Sequence, residues 1–246
     1  SALAAMSLSQ TAIAADPVLD ANVDNPAGTT ITGTAGYGVK LDVGGPYTIA
    51  NSGEITVDAA TEGYGILIND DGDTDSLVVT SLINSGVIFG EATVTNNGYG
   101  VVIHDYGTIT TLTNSGTIHG SVAQAGGGGI YLSDVATYIG TLTNTGTITG
   151  TSGSGQDYGR GIVLYSDVGS IDNSGVISGY AGDDSGFGIS LNTSTITTLT
   201  NSGTILGSAG GTDAYGIFLD ASSIITTLNN SGTISGLAGS TYAGGI

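Results

Sequence analysis

Cysteine is absent from the 246 residues, so the chain carries neither disulfides nor thiolate metal ligands. Bases are almost absent too: Lys40 and Arg160 face 21 acids, for a formal net charge of −19. Nucleic-acid binding and anionic-membrane binding both need clustered Lys and Arg, so neither is expected. Proline supplies 3 residues beside 44 glycines, which excludes collagen and argues against a proline-rich linker. No run of 18 apolar residues occurs, so nothing in the sequence spans a bilayer as a helix. What remains is a mildly apolar chain, 39% hydrophobic with mean hydropathy +0.26, able to bury a core.

Residues 1–15, SALAAMSLSQTAIAA, form a mildly apolar stretch ending in small residues. Such a stretch reads as the remnant of an export signal or as an N-terminal cap on the first coil. Residues 16–246 are expected to be one repeat array, cut at its C-terminal side because Ile246 falls inside a repeat element.

One block recurs seven times: apolar, two residues, apolar, one residue, Asn, one residue, Gly, one residue, Ile. The asparagines are Asn51, Asn84, Asn114, Asn144, Asn173, Asn201 and Asn230, separated by 33, 30, 30, 29, 28 and 29 residues. Between the blocks lies a Gly-apolar pair, often preceded by an aromatic residue: Tyr64-Gly65-Ile66, Tyr99-Gly100-Val101, Phe187-Gly188-Ile189, Tyr215-Gly216-Ile217. Gly129-Ile130 and Gly161-Ile162 keep the pair without the aromatic. The apolar residues alternate with period two, and the segments are short and rich in Thr, Ile and Gly, so they read as strands. Three strands and three corners use about 30 residues, one turn of a parallel β-solenoid, whose coils stack about 4.8 Å apart. The fold class is therefore all-β, a parallel β-helix of about eight coils with three short strands each. A propeller, at about 40 residues per four-stranded blade, fits poorly. The asparagines are assigned to one corner, where a left-handed backbone is tolerated and stacked amides can bond along the rod.

The array NSGTI…GYGI…ITTLTNSGTITG resembles the β-helical passenger region of bacterial autotransporters over residues 28–246. The resemblance implies a right-handed parallel β-helix, type V secretion from a Gram-negative bacterium, and a following outer-membrane barrel that these residues do not include. It also implies a cell-surface or extracellular location, reached through the periplasm.

Four constellations bear on chemistry. Asp71, Asp73 and Asp75 alternate in NDDGDTD as a calcium-like oxygen cluster. Ser76 stands where an EF-hand loop needs Gly, and Leu82 where it needs Glu, so calcium is the one cofactor candidate and its motif is incomplete. Asp184-Ser185-Gly186 has the look of a protease nucleophile turn, but only His104 and His119 are available as bases, and both fall at outward repeat positions. Thr108/Thr110, Thr147/Thr149 and Thr195/Thr197 lie in different strand classes and do not assemble a regular Thr-x-Thr face. One Lys and one Arg do not furnish a lyase-type groove, so no catalytic residue is assigned and no enzymatic activity is expected.

The fourth constellation is a stripe. If Ile66, Val101, Ile130, Ile162, Ile189 and Ile217 face inward, the next residue in each coil faces outward: Leu67, Val102, Tyr131, Val163, Ser190 and Phe218. Five of those six are apolar, an expected exposed ribbon for a partner surface. The function read from the sequence is a non-catalytic, surface-exposed structural or adhesive rod. Its expected partners are molecules of a host or neighbouring cell, or further copies of itself. A polysaccharide-acting β-helix enzyme and a self-assembling filament module are the alternatives.

Overall fold

The computed structural model describes residues 6–7, 13–14, 22–33, 36–42, 44–69, 77–94, 96–124, 126–133, 136–153, 158–239 and 241–246. Every regular element among them is a strand, and every pairing is parallel. Beyond the first two short strands, strands three apart in chain order pair, which sorts them into three sheets of nine, nine and eight strands. The result is a β-solenoid of about 7 turns at ~29 residues per turn, slightly fewer than the eight of the sequence reading. Among the described residues the outermost coils contribute short pieces, such as Met6–Ser7, Ile13–Ala14 and Tyr242–Gly244.

The first sheet is made of strands that end on the repeated Asn, among them Val78–Asn84, Thr108–Asn114, Tyr138–Asn144 and Thr195–Asn201. The second follows each Asn-x-Gly corner, as in Val87–Ala92 and Thr117–Val122, and the third carries the Gly-apolar pairs, as in Gly98–His104 and Gly186–Leu191. Register is set by side chains that match themselves from coil to coil. Ile55, Ile88, Ile118, Ile148, Ile177 and Ile205 are Cα partners in succession, and all six are fully buried in the one large core that runs along the rod. A slip of one residue would turn each of them out to solvent, so the pattern fixes the pairing.

The asparagine corner is a continuous amide ladder. Each Nδ2 donates to the next Oδ1: Asn51 to Asn84 at 2.7 Å, Asn84 to Asn114, Asn114 to Asn144 and Asn144 to Asn173 at 2.8 Å, Asn173 to Asn201 at 2.7 Å, and Asn201 to Asn230 at 2.8 Å. The other amide hydrogen is also used, as from Asn84 to the Thr117 carbonyl at 3.0 Å. The ladder begins one coil earlier than the repeat suggests, since Asn25 donates to Asn51 at 2.7 Å. There the chain takes two extra residues between Asn and Ile, and Thr29 closes the corner by donating to Asn25 Oδ1 at 2.5 Å.

One detail corrects the reading of this corner. The ladder asparagines are not left-handed; among the described residues positive φ falls on Asn96, Asp105, Tyr106 and Thr193, on Gly36, Gly44 and Gly45, and on Gly28 in the lengthened first corner. The glycine two residues on answers close approach instead. A Cβ on Gly116 would lie 2.1 Å from the Gly86 carbonyl oxygen, so stacked corners admit no side chain there.

Candidate functional site

The outer face of the third sheet gathers the residues of interest into two adjoining columns. One column holds the residue before each Gly-apolar pair: Tyr37, Tyr64, Tyr99, Gly128, Arg160, Phe187 and Tyr215 are successive Cα partners. The other holds Lys40, Leu67, Val102, Tyr131, Val163, Ser190 and Phe218 in the same succession. Leu67 and Val102 stand apart from the central core, in a second cluster with Tyr99 that Tyr37, Tyr64 and Tyr131 pack against. The inward assignment of Ile66, Val101, Ile130, Ile162, Ile189 and Ile217 thus agrees with the structure.

The exposure expected of the stripe needs correction. Val102 and Val163 are fully buried and Leu67 nearly so, while Tyr131 and Phe218 are half-buried. Tyr37, Tyr64 and Tyr99 of the neighbouring column pack with Leu67 and Val102. Tyr99 stacks on Tyr131 at 4.6 Å between centroids and 11° between planes, and on Tyr64 at 6.1 Å. Where the first column has Gly128, the Tyr131 ring of the second fills the space above Tyr99; a Cβ on Gly128 would meet the Tyr99 ring at 2.7 Å. Burial pushes the Tyr99 and Tyr64 hydroxyls well above the ordinary tyrosine pKa. Around Tyr99 the Tyr131 hydroxyl adds to the effect and Arg160 opposes it; around Tyr64 the Glu62 carboxylate adds to it.

The C-terminal half of the face is differently built. Phe187 stacks on Phe218 at 5.0 Å and 26°, on Tyr158 at 5.8 Å, and on Tyr215 at 6.2 Å. Arg160 interrupts the aromatic column, and its guanidinium carbon lies 4.2 Å from the centre of the Tyr158 ring. A cleft of about 350 Å³ opens here, lined by Tyr158, Arg160, Tyr165, Ser185, Phe187, Ser190, Asn192, Asp213 and Phe218. Sequence reasoning noted Arg160 only as a scarce base. The signal lay in Gly159-Arg160-Gly161-Ile162, where an arginine replaces the aromatic residue of the Gly-apolar element.

Of the remaining candidates, Ser185 borders the same cleft and the others fall elsewhere. Asp71, Asp73 and Asp75 lie outside the described residues. Ser185 Oγ bonds Asp184 Oδ1 at 3.1 Å and Thr212 Oγ1 at 2.9 Å, hydroxyl and carboxylate partners without an imidazole. His104 Nδ1 pairs with Ser133 Oγ at 2.7 Å and His119 Nδ1 with Thr149 Oγ1 at 2.6 Å, each one coil on. Burial pushes the His119 pKa below its usual value.

Comparison with protein-family models, with curated proteins and with solved structures finds no match for this chain.

Proposed function

We propose that the chain is a non-catalytic contact rod displayed at a cell surface, a passenger-like segment of the autotransporter kind. The supporting observation is the outer face of the third sheet. It carries aromatic side chains on successive coils, and its C-terminal half keeps rings open to solvent, with Tyr158 at 38% and Tyr165 at 37% exposure. Aromatic rings on a rigid scaffold give large contact area at small entropic cost, which is what recognition surfaces use. The parallel rod supplies the scaffold, because its core and amide ladder run unbroken through the coils. The absence of cysteine suits a chain that crosses two membranes before folding. The partner is a molecule of another cell surface, with self-association as the second outcome of the same measurement. Net charge −19 makes parallel rods repel, so self-association would strengthen with salt.

The test has two parts. Protease shaving of intact source cells should release fragments of the chain, and beads coated with it should adhere to cells or clump. Tyr165→Ser with Phe218→Ser should reduce adhesion while the variant stays folded. A chain retained inside intact cells, or adhesion indifferent to both substitutions, would overturn the reading.

A further inference from the structure

We propose that the cleft around Arg160 binds one carboxylated sugar unit of an acidic glycan. Arg160 is one of two bases among the 246 residues, and the other, Lys40, pairs with Asp42 at 3.4 Å. Arg160 has no carboxylate within ion-pair reach among the described residues, and its Nε is buried without a hydrogen-bond partner. A buried donor left unmet is unfavourable, so the position favours a ligand that supplies an acceptor. The guanidinium carbon lies 4.2 Å from the centre of the Tyr158 ring, and a guanidinium carries its N–H donors in a rigid planar fork. A fork of that shape matches a carboxylate, which it holds through two parallel hydrogen bonds.

The rest of the cleft fits a pyranose. Phe218, half-buried on the cleft wall and backed at 5.0 Å by the buried Phe187, offers an apolar surface against which the C–H face of a sugar ring can pack. Asn192 commits one N–H to Ser190 Oγ at 3.2 Å and keeps its carbonyl oxygen for a hydroxyl; Asp213 supplies a second acceptor on the cleft wall. The volume, about 350 Å³, sits at the small end of ligand clefts, suited to a mono- or disaccharide unit. The surrounding negative charge disfavours a dense polyanion, so the ligand is a glycan with one carboxylate per site. This inference rests on the contact role proposed above for its biological setting only.

The experiment presents the purified chain to an array of uronate and sialate oligosaccharides beside their methyl esters, followed by calorimetry on the best binder. We expect the acid to bind at least tenfold more tightly than its ester, about 1.4 kcal/mol. Arg160→Gln should lose at least tenfold for the acid and little for the ester, with Arg160→Lys in between. Phe218→Ser should weaken acid and ester alike, and denaturation midpoints establish that each variant is folded. No acid bound on the array, equal binding of acid and ester, or an unaffected Arg160→Gln would overturn the proposal. A silent array with adhesion retained leaves the contact role standing; binding on the array without adhesion removes that role and keeps the site.

Discussion

The outer faces of the first and third sheets hang on the same coils and meet water differently. On the first, Ser81, Thr111, Thr141, Ser170 and Thr198 stack in register, with Ile83, Thr113, Thr143, Asp172 and Thr200 beside them. Thr111 and Thr113 are exposed, and even Ile83 is 49% exposed. On the third, Val102 is wholly covered and Tyr99 is 4% exposed. Alternation along a strand decides only whether a side chain faces the core. What decides wetness on the outside is the neighbouring column. Short hydroxyl residues leave their neighbours exposed, whereas rings such as Tyr64 and Tyr99 pack with the shorter Leu67 and Val102. An outward position beside an aromatic ladder is therefore a small second core.

The largest test of that difference sets Tyr99→Ala against Thr113→Ala. Removing the Tyr99 ring deletes its stacking on Tyr64 and Tyr131 and uncovers Leu67 and Val102. The expected loss is about 3–5 kcal/mol, the range for a buried aromatic residue. Thr113 is exposed and makes no side-chain hydrogen bond among the described residues, and its replacement should stay within about 0.5 kcal/mol, as for ordinary surface sites. Urea midpoints check both. Equal losses would mean that the aromatic face is no second core.

A smaller effect is expected one residue further along, at the inward side of the same strand. Asn114→Ala leaves Asn84 Nδ2 without its 2.8 Å acceptor and strips the donor from Asn144 Oδ1 and the Thr147 carbonyl. Unmet buried groups cost about 1–3 kcal/mol each, offset in part by the amide removed, so a net loss of about 2–3 kcal/mol is expected. The same denaturation series reads it. A loss no larger than that of Thr113→Ala would show that the ladder marks the corner without stabilising it.

These comparisons also show how far the sequence can be read. The solenoid and the ladder were legible because each coil repeats the same demand, an inward Ile and an Asn four residues before it. Asn25 escaped because two inserted residues break that spacing although Thr29 rebuilds the corner. The stripe was assigned to its correct side, since side alternates with residue number. Its burial was not legible, because covering depends on a ring three residues earlier, across a glycine where pairing skips a residue: Tyr99 and Val101 have partners in the adjoining strand and Gly100 has none. The Arg160 cleft needed both columns at once: a missing ring in one and the short Val163 and Ser190 in the other. Neither column shows it alone.

The second sheet offers an intermediate face and the smallest effect. Phe89 and His119 are Cα partners, their rings parallel within 6° at 5.1 Å, and His119 Nδ1 meets Thr149 one coil on. This imidazole is half-buried, and burial lowers its pKa below the ordinary 6.5, with the Thr149 contact opposing. A histidine depressed in the folded state binds its proton more readily when unfolded. Its contribution to stability is thus fully present above pH 6.5 and is lost as pH falls below that value. His119→Phe keeps a ring against Phe89 and removes the titration. Between pH ~7 and ~5.5, the histidine range, the urea midpoint of the parent should fall slightly further than that of the variant. The gap should be well under that of Tyr99→Ala, because a half-buried ring is partly solvated in both protonation states. Parallel midpoints across that range would mean that water reaches His119 as freely as it reaches Thr113, and the second sheet would join the first as a wet face.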